Sequence, residues 1–271
     1  MGNRLRTVLC ELDRMERAAH GCSPLHRVDA RAKLLLTVVY LVTMLSMPLE
    51  AFSGLLLYAV YPILAAQAAG LRYGDLLRRS LVVLPFVALV GLFNILYYRE
   101  TVFTVGPVAV TRGWIDFLSI LLRGLLSVQA LLLLILTTGY YRLCRNMQRM
   151  GLPSVFASQL LFVYRYLYVL TEEALEMSMA RDARSYGRRS YPLRTWATLV
   201  GQLLIRTFAR AERIGRAMLA RGFDGRIPAV GDDGQRWRKT DTAVFVLLSA
   251  AFIAVRVLHP AELLSATLLN R

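Results

Sequence analysis

The chain has 271 residues, 56% of them hydrophobic, and a mean hydropathy of +0.46, too apolar for an ordinary soluble domain. Its 33 Lys/Arg outnumber 18 Asp/Glu for a formal net charge of +15. In a membrane protein such an excess belongs to the cytosolic loops, which sets aside nucleic-acid binding, the rival use of a pI near 10.4.

Residues 1–33 are mixed and basic, with no small-residue cleavage site after an early apolar core, so they read as a cytosolic N-terminal arm whose first 19 residues suit an amphipathic helix. Apolar runs follow at 34–47, 51–69, 81–97 and 125–140. Each is read as a membrane span, since a bilayer core about 30 Å thick takes roughly 17–25 helical residues. The first is extended by Ala30 and Ala32 through its basic start. Between the third and fourth runs, residues 98–117 alternate apolar and polar types about Gly106-Pro107 and Gly113, as an external hairpin-like loop. Arg123 follows near the start of the fourth span, placed to face outer headgroups or a protein interface.

Residues 142–239 hold 18 Lys/Arg against 8 Asp/Glu, whereas the turn Pro48-Leu49-Glu50 has no basic residue. The positive-inside rule puts this block and the N-terminus in the cytoplasm. Gly151-Leu152-Pro153 breaks the chain before a helix expected over 154–185, in which 156–170 is apolar but carries Arg165. That stretch suits an interfacial or protein-packed helix, with a sixth span as the alternative. Tyr191-Pro192 marks a turn, and a second helix is expected over 195–220, with Gly222 as a left-handed cap. Arg206, Arg210, Arg213 and Arg216 make a basic stripe along it. A last span, 243–258, is interrupted by Arg256, and an odd number of spans leaves the tail outside. The organisation is therefore a 1–33 arm, a 34–141 four-span region, a 142–240 cytosolic region and a 241–271 final span with its tail. The fold class is all-α: a polytopic membrane protein of about five spans plus two long cytosolic helices.

Two segments echo each other. Ala180-Arg181-Asp182-Ala183-Arg184-Ser185-Tyr186 and Ala217-Met218-Leu219-Ala220-Arg221-Gly222-Phe223 share Ala-x-x-Ala-Arg-(Ser/Gly)-(Tyr/Phe), with their arginines 37 residues apart. A helix end presenting one guanidinium suits an acidic groove, because the planar fork grips carboxylates bidentately. Two such ends suit a paired soluble partner. The plainer alternative is a cation complementing each helix C-terminus, worth about 0.3–1 kcal/mol.

Catalytic signatures are missing. There is no GxxxxGK(S/T) loop for ATP, no HExxH or Cys/His cluster for zinc, and no GxSxG elbow. His20, His26 and His259 are widely spaced, and Cys10, Cys22 and Cys144 form no CxxC pair. No catalytic, metal or cofactor residue is assigned. The polar residues inside the spans are Asn94, Gln67 and Gln129, which disfavours a stand-alone carrier of a charged solute.

At this point the chain resembles, over almost its full length, the transmembrane T component of energy-coupling-factor transporters, ABC-type importers of vitamins and metal ions. Ser23-Pro24-Leu25-His26-Arg27-Val28-Asp29-Ala30-Arg31-Ala32-Lys33 looks like the family's Asp-Pro-Arg-x-Lys start to the first span, with Ala30 where proline is usual. Leu152-Pro153, Tyr164-Arg165-Tyr166 and Glu172/Glu173 resemble the opening of its first coupling helix. Ala220-Arg221-Gly222 matches its Ala-Arg-Gly signature, and Ala183-Arg184-Ser185 matches the other copy with serine for glycine. The start of the first span and the leucine-rich fourth span look closest to the cobalt/nickel subgroup.

The resemblance implies a non-catalytic coupling subunit of a prokaryotic cell membrane. Ala183, Arg184, Ser185, Ala220, Arg221 and Gly222 would contact a cytosolic ATPase dimer, and Asp29, Arg31 and Lys33 would form the motif at the start of the first span. The further partners implied are a substrate-binding membrane S component, a small accessory membrane subunit and the bilayer, without nucleic acid. Two other readings stand beside it: a coupling subunit serving a vitamin, and an intramembrane lipid-headgroup enzyme using Asp224, Asp232 and Asp233. Asp29, Arg31 and Lys33 are equally readable as a positive-inside anchor or as packing against the coupling helices.

Overall fold

The computed structural model describes residues 2–19, 21, 23–48, 52–97, 101–105, 108–184, 193–225 and 237–258. The sequence features at His20, Cys22, Ser185, Tyr191-Pro192, Asp232, Asp233 and His259, and the Gly106-Pro107 turn, lie outside them. The helices, in chain order, are α1 (Gly2–Ala19), α2 (Pro24–Arg27), α3 (Ala30–Leu45), α4 (Phe52–Ala68), α5 (Tyr73–Ser80), α6 (Leu84–Tyr97), α7 (Arg112–Thr138), α8 (Tyr140–Arg149), α9 (Ser154–Arg184), α10 (Leu193–Ala220) and α11 (Lys239–Leu258). A 3₁₀ turn, Leu81–Val83, joins α5 to α6. The antiparallel strands β1 (Thr101–Val105) and β2 (Val108–Thr111) form the hairpin expected between the third and fourth apolar runs. Apart from that hairpin the described residues are all-α.

The chain divides into two units, one of residues 1–17 and 140–233 and the other of 18–139 and 234–271. Among the described residues, three stretches, all in the second unit, are long and apolar enough to cross a membrane: Tyr73–Asn94, Gly113–Thr138 and Lys239–Val257. Gly54–Ala68 in α4 is a shorter apolar helix.

The core of this unit gathers α3, α4, α7 and α11 around Tyr40, Met44, Leu55, Tyr58, Leu126 and Phe252. Aromatic rings interlock there: Tyr40 meets Tyr61 at 4.8 Å and Phe252 at 5.2 Å between centroids. In such a core the apolar effect gives no preference over lipid, so packing and hydrogen bonds set the geometry. The Tyr58 hydroxyl donates to the Phe252 carbonyl at 2.8 Å, and the Tyr40 hydroxyl to the Tyr58 carbonyl at 3.1 Å, tying α3, α4 and α11 together.

The long helix α7 buries Asp116, Ser119, Arg123, Leu126, Ala130, Leu133 and Thr137. Their spacing alternates three and four residues, so they form one seam on one face. Residues 112–117, expected as the end of an external loop, are instead the first turns of α7. The spans are accordingly less bare than their composition suggests. Arg123 faces protein, donating to the Pro48 carbonyl at 2.8 Å just past the end of α3. Gln129 is fully buried and accepts from the Tyr73 hydroxyl at 3.3 Å.

Candidate functional site

In the unit of residues 1–17 and 140–233, the sequence-predicted repeat falls at the C-terminal ends of the two longest helices. α9 spans 31 residues and ends at Arg184; α10 spans 28 and ends at Ala220. At about 1.5 Å per residue these are rods of roughly 42–47 Å. Ala183 and Arg184 occupy the last turn of α9, exposed, and Ala220, Arg221 and Gly222 are exposed at the end of α10. Ser185 lies just beyond the described residues.

The α10 end is a Schellman cap, with every group of the motif in place. Gly222 has φ +79, its N–H donates to the Leu219 carbonyl at 3.0 Å, and the Phe223 N–H donates to the Met218 carbonyl at 3.0 Å. That pattern needs a left-handed residue one past the last helical pair and favours an apolar contact across it. Met218 and Phe223 both line one groove between α9 and α10, a cavity of about 460 Å³ that also takes Phe162, Tyr166 and Ile214. The aromatic that follows Arg221-Gly222 thus anchors the turn, leaving Arg221 outside it.

Helix α10 is held to α9 by charge as well as by that apolar groove. Glu173 on α9, largely buried, lies 2.9 Å from Arg210 and 3.7 Å from Arg206. The basic stripe is therefore divided: its first two arginines face α9, while Arg216 pairs along its own helix with Glu212 at 3.4 Å. Near the start of α10, the Arg181 guanidinium sits 4.7 Å from the Trp196 ring centroid and bonds Asp182 at 2.7 Å. Neither Glu173 nor Trp196 carries a sequence signal for these pairings, which join residues far apart in the chain.

Helix α8 also packs on α9, where Tyr140 stacks on Tyr164 at 4.5 Å and 16°. The Tyr164 and Tyr168 hydroxyls are 3.1 Å apart, and Tyr168 donates to Glu16 of α1 at 3.2 Å. These tyrosines serve packing. Burial, then Tyr164 and Glu16, push the Tyr168 phenol above its ordinary value. Burial likewise raises the Cys144 thiol.

The second predicted motif lies in the other unit. Asp29, buried, is the N-cap of α3 and accepts from the Arg31 N–H at 2.8 Å, as a short acidic side chain does for an unpaired helix N–H. Lys33, also buried, donates from Nζ to the Thr137 carbonyl at 3.0 Å. A cation there meets the negative end of the α7 dipole. Asp29 and Lys33 thus start α3 and pin it to the end of α7, with an energetic role in this unit's own packing. His26 is buried beside them, with Nδ1 2.6 Å from the Ser23 hydroxyl and Nε2 2.9 Å from the Ala18 carbonyl. Among the described residues no group of three or more His, Cys, Asp or Glu could hold a metal ion.

Comparison with known proteins adds an independent line. The profile of the CbiQ family, described as cobalt transport protein, matches residues 21–230. A putative fused cobalt transport protein CbiMQ of Methanocorpusculum labreanum is 28% identical over 241 residues, 85% of this chain but 40% of that longer relative. The energy-coupling factor transporter transmembrane protein EcfT of Thermosediminibacter oceani is 26% identical over 259 residues, 90% of this chain and 94% of its own. The cobalt transport protein CbiQ of Rhodobacter capsulatus is 32% identical over 90 residues, 33% of this chain and 37% of the relative.

Proposed function

The chain belongs to the CbiQ family of cobalt transport proteins, the T components of energy-coupling-factor transporters, and from that premise we propose that it couples a cytosolic ATPase dimer to a substrate-binding S component in a prokaryotic cell membrane. The cargo is a cobalt or nickel ion, on the ground that cobalt is named for the relatives. The N-terminus and residues 142–240 lie in the cytoplasm, on the positive-inside argument. A small accessory membrane subunit completes the assembly.

The observation that carries this reading is the pair of exposed arginines, Arg184 and Arg221, at the C-terminal ends of two rods clamped to each other. Each fork enters an acidic groove of one ATPase, where a charge-assisted bidentate contact resists sliding. ATP-driven closure of the dimer moves the two ends. Because Glu173 and the apolar groove join α9 to α10, the motion passes along stiff helices instead of being lost in side-chain play. The chain contributes no catalytic group: ATP is bound and cleaved by the partner, and the membrane unit relays the motion to the S component.

The test is recovery of partners. The tagged full chain, purified from its own host, brings down ABC-type ATPase subunits, while the chain alone binds no nucleotide. Stoichiometric ATP binding by the chain alone, or recovery without any ATPase, contradicts the reading.

A further inference from the structure

The chain crosses between its two units at residues 17/18, 139/140 and 233/234, the last of these outside the described residues. The two described crossings differ in stiffness. At the second, α7 ends before Gly139, whose φ of +79 interrupts the helical backbone before α8 begins. A left-handed glycine between two helices is a bend that absorbs displacement. At the first crossing, α1 runs unbroken from Gly2 to Ala19, with neither glycine nor proline after its first residue. A continuous helix carries a displacement of one part to the other through its ladder of hydrogen bonds.

Helix α1 is engaged on both sides of that crossing. In the unit of residues 1–17 and 140–233, Glu16 accepts from the Tyr168 hydroxyl at 3.2 Å, and the Arg6 guanidinium donates to the Met179 sulfur at 3.6 Å. The contacts are ten residues apart on α1 and eleven apart on α9, in opposite chain directions. About 15–17 Å of the two helices therefore runs antiparallel, and eleven residues, close to three turns, put Tyr168 and Met179 on one face of α9. Met179 is five residues before Arg184. Tyr168 is itself held, its hydroxyl 3.1 Å from that of Tyr164, whose ring stacks on Tyr140 of α8.

In the unit of residues 18–139 and 234–271, the end of α1 is gripped again. The Ala18 carbonyl accepts from the Gly21 N–H at 3.2 Å and lies 2.9 Å from Nε2 of the buried His26, three residues before the Asp29 cap of α3. Ala19 is buried, and a Cβ added at Gly139 would come within 3.2 Å of its Cβ. The last residue of α1 thus sits against the end of α7.

We propose that α1 is the stiff link through which movement of α9 reaches α3, with Glu16 and Tyr168 as the positioning residues that engage it. The proposal rests on the coupling reading and supplies its transmission step. When the Arg184 end of α9 is displaced, Glu16 moves with Tyr168, α1 follows as a rod, and the His26 grip passes the shift to the start of α3.

The test uses the complex recovered on the tagged full chain from its own host, reconstituted in vesicles, with cobalt(II) uptake and ATP hydrolysis measured together. Arg17, between Glu16 and Ala18, is exposed and bonds the Asp13 carbonyl of its own helix at 3.2 Å. Glycine opens a helix locally about fivefold more readily than alanine, so Arg17→Gly softens the link and Arg17→Ala does not. Arg17→Gly lowers the cobalt imported per ATP cleaved at least about threefold, with ATPase recovery and hydrolysis unchanged, while Arg17→Ala matches the parent. Tyr168→Phe, which keeps the ring and loses the bond, lowers the ratio as far. Glu16→Ala does the same, and Glu16→Gln restores most of it because its amide oxygen still accepts. A ratio unchanged in both Arg17→Gly and Tyr168→Phe overturns the proposal and leaves the coupling reading standing. Equal loss in Arg17→Gly and Arg17→Ala also overturns it, by tracing the effect to the side chain. So does loss of ATPase from the Tyr168→Phe complex, which would make α1 part of the docking surface. A parent that brings down no ATPase sinks the coupling reading and the link with it.

Discussion

Gly222 fixes where α10 stops, and through that the direction in which Arg221 leaves the helix. Its φ of +79 suits a residue without a side chain, while an added Cβ would meet no atom within 4 Å. The cost of Gly222→Ala is therefore backbone strain alone, about 1–2 kcal/mol for an L-residue held left-handed. The expected outcome is a loss of unfolding free energy of that size and faster amide exchange at Phe223, with Gly222→Asn intermediate because asparagine tolerates this region. Equal stability of the alanine variant would mean that the cap is not formed in solution. Cysteine chemistry offers a second check at this scale. Cys10 is exposed, whereas Cys144 is 1% exposed with its thiol pushed up by burial. Since the thiolate is the nucleophile, a single-cysteine protein keeping Cys10 alkylates at neutral pH at least tenfold faster than one keeping Cys144. Equal rates would place Cys144 at the surface.

Among the elements, α9 and α10 were legible from the sequence because their ends carry local signals: Pro153 before one, Gly222 after the other, and the repeated Ala-Arg pair. What joins them was not legible, because Glu173 reaches Arg206 and Arg210 only once the chain has folded back. Asp116 escaped for another reason. Judged by its neighbours it belongs to a polar loop; judged by its phase it falls three and seven residues before Ser119 and Arg123, on the stripe that continues through Leu126 and Leu133. Counting that phase backwards from the leucines is the signal that finds it. Lys33 and Thr137 are 104 residues apart, so the motif at the start of α3 could be recognised as a motif but not assigned a partner. The Glu173 clasp gives a prediction at this scale. Its arginines are partly exposed, so the pairing is worth about 0.5–1 kcal/mol after solvent screening. Glu173→Gln then speeds amide exchange across residues 206–220 by about two- to fivefold, less so at high salt, where the parent clasp is already weakened. Exchange in α10 indifferent to both charge and salt would show that apolar contact alone holds the pair.

At the scale of the whole molecule, the positive-inside rule assigns the basic residues 142–239 to the cytoplasm, a proposal that labelling tests. In a cysteine-free background, Ser190→Cys reacts only with reagents that reach the cytoplasm, and Gly106→Cys only with external ones. The reverse pattern would put the rods on the wrong side for any ATPase. The central claim, that Arg184 and Arg221 are docking forks, is tested most directly by replacing them. Removing one fork from a desolvated acidic groove costs about 2–5 kcal/mol, because the partner's carboxylate is left buried without its counter-charge. Arg→Lys restores only part, since a point charge lacks the bidentate geometry. Co-purification of ATPase with Arg184→Ala, Arg221→Ala and the double variant, at matched membrane insertion and alongside metal-ion uptake, reads this out. The account predicts graded loss in the single variants, worse for Arg221→Ala, and neither assembly nor uptake in the double variant. A double variant that assembles and transports like the parent would reduce both arginines to helix-end charges and contradict it.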